Sequence, residues 1–336
     1  MTKPIAADEI ITFVTEVFER ADMPVQDAKS LAQELVDAEL SGYASVGLRK
    51  VGEYLDRVQR NVTNANPEIT VDLDKGALAR VDGDNGFGHL VVDFATQLAI
   101  ERAKEYGLAG VGVHNANFAG RLGGYARNAA DHGIATIMFA NTGGAIQVVS
   151  APGGTEPRLS TAPIAAGFPR AGEAHFVLDF ATSSVAYSRL GEAKDLGEDI
   201  PAEWTNASGD LVPFGGYKGF GLALLAETLA GALTTAGMPS EQPSADEQGL
   251  FLLAIDVGSL RDVDEFQQQA DEFLEYVKAT PLAAGASEIR VPGEQSEKAR
   301  QHGLKHGLHL AAHVAEDFRQ VAKSLNMNVP WFIQAN

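Results

Sequence analysis

The sequence predicts an α/β protein with helices at both ends and alternating strands and helices between them. Three observations carry this. Residues 1–60 place apolar side chains at helical spacing. From residue 68 the rhythm changes to short β-branched runs alternating with helical stretches. Residues 297–325 return to a mostly helical pattern.

The elements follow in order. Ile10, Ile11, Val14, Val17 and Phe18 lie on one helical face. Ala28, Leu31, Ala32, Leu35 and Val36 lie on a second, and Val51, Tyr54, Leu55 and Val58 on a third. Pro67 breaks the pattern. Strands are expected over 70–73, 77–81, 109–113, 134–139, 176–180 and 250–256. Helices are expected over 90–104, 125–132, 218–236 and 263–280. Residues 141–172, rich in Gly, Pro and Thr, and residues 191–216, with few apolar side chains, read as loops. Loops of that length are more often functional than idle.

Composition narrows the function. Lys and Arg number 26 against 45 Asp and Glu, a net charge of −19, which repels nucleic acid and anionic membranes alike. The absence of cysteine excludes disulfides, thiolate nucleophiles, thiolate zinc sites and iron–sulfur clusters. No apolar run follows a basic N-terminal segment. The most apolar stretch, 219–237, carries Glu227 in its middle and reads as a buried helix rather than a membrane span. A soluble cytoplasmic protein is expected.

Recognisable chemistry is sparse. No G-x-G-x-x-G follows a strand and opens a helix, and there is no P-loop. Gly83, Gly86 and Gly88 come near the first pattern with the wrong spacing, which suits a tight turn between strand and helix. His302, His306, His309 and His313 share one helical face, but no carboxylate pattern completes a metal site, and no metal is expected. Asp179 ends a buried strand; it is either a helix N-cap or a group presented where α/β proteins bind ligands, with Thr182 and Ser183 as its nearest hydroxyls. Lys218 sits among glycines in PFGGYKGFG. It either meets an anion or is a solvated lysine leading into a helix.

Several segments together resemble the malate/L-lactate dehydrogenase family of the non-Rossmann type. They are SGYASVGLRKVGEYLDRV, VDGDNGFGHLVVDFA, HNANFAGRLGGYA, APGGTEPRLSTAPIAAGFP, FVLDFATSS, LVPFGGYKGFGLALLAETLAGAL and EIRVPGE, in that order and nearly end to end. The resemblance implies a sulfolactate-dehydrogenase-like α/β fold with N- and C-terminal helices packed together. Residues 1–60 and 295–336 would form a helical region, 61–125 an α/β substrate-side region and 126–294 an α/β cofactor-binding region. It implies a homodimer acting on a small molecule with NADPH or NADH, NADPH slightly preferred. Cofactor contacts would fall at Phe118, Ala119, Gly120, Arg121 and Leu122, at Asp179, Phe180 and Ala181, at Tyr217 and Lys218, and at Pro292, Gly293 and Glu294. Substrate contacts would fall at Val46, Lys50, Phe118, Thr161, Tyr187, Ser188 and Arg189. Lys50 stands where the family commonly carries an arginine, which keeps the charge but loses the bidentate fork.

The chain also departs from the family pattern. Where the family reads Ser-His-Gly, with the histidine as proton donor, this chain reads Ser45-Val46-Gly47. A second family histidine is Phe118, and the acid expected ten residues after Asp179 is Arg189. Reduction of a ketone leaves an alkoxide that needs a proton, and a positioned acid contributes roughly 10²–10⁴ in rate. Tyr43, Tyr187 and Lys218 are the candidate replacements, with Ser45 retained. A protonated imine needs no acid in the hydride step. The expected activity is therefore hydride transfer from NAD(P)H to the C=N or C=O carbon of an imine or a 2-oxo acid derivative. The alternative is a non-catalytic homologue that binds cofactor or metabolite.

Overall fold

The computed structural model of the chain describes residues 3–172, 174–241 and 247–334. Three helices come first: α1 (Ala7–Glu19), α2 (Val25–Leu40) and α3 (Val51–Gln59). Strands β1 (Thr70–Lys75) and β2 (Leu78–Gly86), helix α4 (Gly88–Tyr106), β3 (Leu108–Ala116), α5 (Leu122–Asp131) and β4 (Ile134–Ala140) follow. Next come β5 (Val149–Ser150), β6 (Pro157–Leu159), β7 (Ile164–Phe168), β8 (Phe176–Phe180), α6 (Tyr187–Leu196) and α7 (Tyr217–Glu227). Strand β9 (Gln248–Asp256) and helices α8 (Val263–Lys278), α9 (Glu294–His306) and α10 (Ala312–Ser324) close the chain.

The main sheet has the order β1-β2-β3-β9-β4-β7-β8. Only β2 and β3 pair in parallel, joined by the α4 crossover; every other pair is antiparallel. A doubly wound nucleotide fold is mostly parallel, so this sheet is of another kind. Each strand divides its side chains between two faces. Met138, Ala165 and Leu252 join the core under α4 and α5, while Phe139, Ile164 and Phe251 face the core under α7.

The two ends of the chain are packed together, as expected. Ile5 and Leu308 exchange backbone hydrogen bonds of 2.9 and 2.8 Å. One apolar core gathers Ile10, Phe13 and Phe18 of α1, Leu31 and Leu35 of α2, and Val314 and Phe318 of α10. Phe87 and Leu90 insert into this same core from the start of α4. They tie the helical part to the sheet.

The structure corrects the expected elements in four places. The 141–172 segment is not all loop: it contains β5, β6 and β7, and β7 is an interior strand between β4 and β8. Helix α6 occupies the start of the expected 191–216 loop and buries only Leu190 and Ala193 among its described side chains. The helix expected over 218–236 gives way after Glu227 to a π turn, Thr228–Ala232. The terminal helix is two helices, broken where Gly307 takes φ +81° against the backbone of Ile5.

Candidate functional site

A cleft of 380 Å³ opens between the α2–α3 connection, the β3–α5 loop and the ends of β7 and β8. That volume is in the usual range for small-molecule sites. Its first wall is built by the sequence between α2 and α3. Gly47 packs so tightly on α2 that a Cβ would lie 2.6 Å from the Glu39 carboxylate. That carboxylate accepts the Leu48 N–H at 3.2 Å. The turn so anchored presents Tyr43, Ser45 and Val46 to the cleft, and Lys50, at the N-cap of α3, follows with Glu53, Tyr54 and Arg57 of α3. The last four are spaced 3, 4 and 7 residues from Lys50, one helical face.

The second wall is the loop from Phe118 to Arg121. Gly88 at the start of α4 allows this loop to lie close, since a Cβ there would stand 2.1 Å from the Asn117 carbonyl oxygen. This is the role of the glycine pattern in DGDNGFG: a strand-to-helix turn seated under another loop. The third wall carries Thr161, Pro163, Asp179, Phe180, Ala181, Tyr187 and Ser188.

Lys50, Arg57 and Arg121 bring three positive charges to the cleft, and Glu53 and Asp179 two negative ones. The Lys50 ammonium lies 2.6 Å from Glu53 and 5.8 Å from the centre of the Phe118 ring. Arg57 is held by Asn117 and by Thr63 Oγ1. Arg121 is almost wholly buried: it donates to Ser41 Oγ at 3.1 Å, lies 3.5 Å from Asp37 and stacks 4.6 Å from the Tyr43 ring. Its Nε has no partner among the described residues, and neither has the buried hydroxyl of Tyr54.

Asp179 caps a helix, though not the one that follows it. Its carboxylate accepts the Gly123 N–H of α5 at 2.7 Å. Thr182 and Ser183 turn elsewhere, donating to the carbonyls of Thr161 and Val185. Burial pushes the Asp179 carboxyl up, against the lowering pull of the Gly123 amide, Arg121 and the Leu122 amide.

Of the residues singled out from the sequence, Tyr43, Ser45, Val46, Lys50, Phe118, Gly120, Arg121, Thr161, Asp179, Phe180, Ala181, Tyr187 and Ser188 line this one cleft. Ala119 and Leu122 are buried beside it, Ala119 donating its N–H to the cleft residue Gln248 at 3.3 Å. The others lie apart from the lining. Tyr217 and Lys218 are exposed at the start of α7. The glycine after them serves packing, since a Cβ on Gly219 would meet the carbonyls of Phe214 and Thr182 at 2.4 and 2.7 Å. Arg189 pairs with Glu198 and lies over Trp204. Pro292 accepts the Val177 N–H, Gly293 fits against the His175 carbonyl, and Glu294 pairs with Lys278 and Arg170. His302 and His306 lie with ring centres 4.6 Å apart and planes tilted by 39°, and no group of three metal-ligating side chains occurs among the described residues.

Sequence reading did not single out Glu53, Arg57 or Gln248, and it took Tyr54 only as an apolar helix position. The signal for the first two and for Tyr54 was available: they share the face of α3 that begins at Lys50. His89 was also missed. It is buried behind Phe118 and Gly120, and a Cβ on Gly120 would lie 2.5 Å from its Nε2. Glu34, Asp37, Val46, His89 and Arg121 gather in a closely packed cluster beside the cleft, with Val46 and Arg121 lining both.

Fold and cleft together define an α/β protein with a mixed sheet that places a compact, positively charged small-molecule site beside the N-terminal helices. The chain belongs to the malate/L-lactate dehydrogenase family, whose family profile matches residues 5–319; these are NAD(P)-dependent oxidoreductases. It is 30% identical to the L-sulfolactate dehydrogenase of Methanothermobacter thermautotrophicus, over 97% of this chain and 98% of that one. The structure of malate dehydrogenase from Entamoeba histolytica superimposes with a TM-score of 0.92 at 25% identity, covering 98% of this chain and all (100%) of the other. The Δ1-piperideine-2-carboxylate reductase of Pseudomonas syringae shares the fold, with a TM-score of 0.85 at 24% identity over 96% of this chain and 100% of that one. Among the described residues, no helix is long and apolar enough to cross a membrane.

Proposed function

We propose that this protein is an NAD(P)H-dependent reductase of a small carboxylate-bearing substrate, an imine or a 2-oxo acid derivative. The observation that carries the reading is the cleft itself. Lys50 and Thr161 line it together with the apolar Val46, Phe118, Ile146, Pro163 and Phe180. A small substrate with an anionic end and an apolar body matches that lining. The nicotinamide supplies the hydride. Lys50 fixes the substrate carboxylate, Thr161 adds a hydroxyl, and Val46 and Phe118 exclude water from the reacting carbon.

Asp179 positions the start of α5, and with it the Gly120–Arg121 edge of the cleft. Lys218 and Tyr217, outside the cleft lining, and the segment of Pro292, Gly293 and Glu294, behind β8, are assigned to the more distant half of the cofactor. Arg189 is assigned to holding α6 rather than to substrate. Tyr43 and Tyr187 stand on the rim, 37% and 53% exposed, where water competes with them as a proton source. The loss of a histidine at Val46 favours an imine, because hydride addition to an iminium carbon needs no acid in that step.

The first test is a fluorescence titration with NADH and, separately, NADPH, followed by a screen of cyclic imines and of 2-oxo acids with and without amines. Saturable binding of either cofactor and turnover of a carboxylated imine are the expected results. Absence of binding to both overturns the reductase reading and leaves a metabolite-binding homologue.

Lys50→Ala separates substrate binding from chemistry. A hydrogen bond to a charged group contributes about 1.5–3 kcal/mol, so KM for the carboxylate substrate should rise roughly 10- to 100-fold. The turnover number should change little, because the contact exists equally in ground and transition states. Steady-state kinetics checks this; an unchanged KM removes Lys50 from the substrate site.

We also propose that the protein forms a homodimer. Leu224, Leu225 and Leu233 are exposed on and just after α7, apolar side chains in want of cover.

A further inference from the structure

One wall of the cleft is fastened to a buried acid that does not itself line the cleft. Glu227, the last residue of α7, is 4% exposed. Its Oε1 accepts two hydrogen bonds from one residue, the Ser160 hydroxyl at 2.6 Å and the Ser160 backbone N–H at 3.0 Å. The Ser160 hydroxyl oxygen in turn accepts the Ala162 N–H at 3.0 Å. The segment held in this way carries Thr161 and Pro163 into the cleft lining. From the other side Thr182 donates its N–H and its hydroxyl to the Thr161 carbonyl, each at 2.9 Å. The backbone of Thr161 is thus fixed on both sides. Its hydroxyl is taken by no described residue and is not buried.

We propose that Glu227 is a positioning residue for the reaction, fixing the Thr161 hydroxyl against the substrate through Ser160. The proposal rests on the reductase reading above, in which Thr161 meets the substrate. Two further observations set this contact apart from ordinary packing. Ala162, wholly buried, has φ +30°, a conformation that alanine avoids and that persists only where the surroundings enforce it. The Glu227–Ser160–Ala162 chain of hydrogen bonds supplies that enforcement, because the segment cannot relax without breaking it. Helix α7 also changes to a π turn directly after Glu227, and such turns are frequent at functional sites. A buried carboxylate is costly unless donors meet it. Burial does raise the Glu227 carboxyl, and the Ser160 hydroxyl and amide and the Asn141 side chain oppose the rise.

Ser160→Ala and Thr161→Val, singly and together, test this on the full chain, with Glu227→Gln and Glu227→Met beside them. Cofactor affinity and melting temperature are measured for each. KM and kcat are measured on whichever of Δ1-piperideine-2-carboxylate and pyruvate the wild type reduces faster. Thr161→Val should raise KM roughly tenfold, the loss of one hydrogen bond to a charged group, and leave kcat within about threefold. Ser160→Ala should do the same without touching the Thr161 hydroxyl. The double variant should be no worse than the larger single one, because both remove the same interaction; independent effects would multiply to roughly 100-fold. Glu227→Gln, whose amide oxygen still accepts from Ser160, should stay within about threefold of wild type in KM. Glu227→Met fills the space but accepts nothing, and should match Ser160→Ala. If it does not fold, the Ser160 and Thr161 variants still decide the matter.

Effects that multiply in the double variant overturn the proposal, and so does a Ser160→Ala KM within about twofold of wild type. A merely structural role would lower melting temperature, cofactor affinity and kcat together, with no coupling to Thr161, and that result overturns it as well. An unchanged KM in Thr161→Val takes Thr161 out of the substrate site, and the role of Glu227 with it. The reductase reading fails separately and earlier: a wild type that binds neither NADH nor NADPH, or binds one and reduces neither probe, removes it before any variant is made.

Discussion

Arg121→Met is expected to lower folding stability by about 3 kcal/mol, the cost of leaving buried carboxylates without their partner. The guanidinium lies among Asp37, Ser41 and the Tyr43 ring, and its charge also acts on Glu34 and Asp179. Asp37 keeps Arg127 and Arg300, at 3.1 and 2.7 Å, so it is not abandoned. Asp179 fares worse, because burial already raises its carboxyl and Arg121 is the charge that opposes the rise; Glu34 loses the smaller of its two opposing charges and keeps Arg127. Methionine fills most of the same space, so a cavity contributes little. Thermal unfolding should show a drop of roughly 5–10 °C, at a few degrees per kcal/mol for a chain of this size. Arg127→Met is the control. That side chain is more exposed, 23% against 6%, and its loss should cost less than about 1 kcal/mol, as for a partly solvated pair. Equal effects for the two variants would mean that burial does not decide the role of Arg121. The two also distinguish cofactor from fold: if Arg121 acts only as a cofactor contact, the unliganded melting temperature will not move.

The sequence made the sheet and the helices legible where side chains alternate or repeat strongly. Phe176–Phe180 is read to the residue, and the helices of residues 1–60 follow directly from their apolar faces. Strand β7 was hidden because Ile164–Phe168 reads IAAGF, small residues with little β preference of their own. It becomes a strand by pairing with β4 on one side and β8 on the other, information held elsewhere in the chain. Helix α6 was hidden for the opposite reason: its apolar face is too narrow to give a clear period.

The site divides the same way. Residues chosen by resemblance converge on one cleft from five separate segments, which local pattern could never have joined. Tyr54 and His89 were lost because periodicity reports that a side chain is buried and says nothing of what its polar tip meets. The Asp179 carboxylate shows the same limit. Its cap was foreseeable, but its helix lies 56 residues earlier in the chain.

Glu34 and His89, which share the packed cluster beside Val46, should tilt the pH dependence of stability in opposite directions. Burial, with Asp37 and Asp93 nearby, raises the Glu34 carboxyl from 4.5 to about 7, against Arg127 and Arg121. The folded state thus binds this proton more tightly than the unfolded state. Its contribution is fully present below pH 4.5 and is lost as pH rises through 7, about 3 kcal/mol in all. His89 is shifted the other way, from 6.5 to about 3, by burial and Lys50. Its contribution is present above pH 6.5 and is lost as pH falls toward 3, about 5 kcal/mol in all.

Between pH 4.5 and 6.5 the two slopes oppose each other, so wild type should be nearly flat there as far as this pair is concerned. Glu34→Gln keeps the shape of the protonated acid and removes its titration. It should melt with wild type at pH 4.5 and above it by several degrees at pH 8, with the gap opening across the window between. His89→Gln should do the reverse, resisting acid better than wild type below pH 6 after its pH-independent packing cost is subtracted. The other shifted carboxyls are common to all three proteins and cancel in the differences. Melting curves at half-unit steps from pH 4 to 8 measure both. Parallel profiles for Glu34→Gln and wild type would show that Glu34 is ionised at neutral pH. The cluster beside Val46 would then hold a carboxylate rather than a neutral acid.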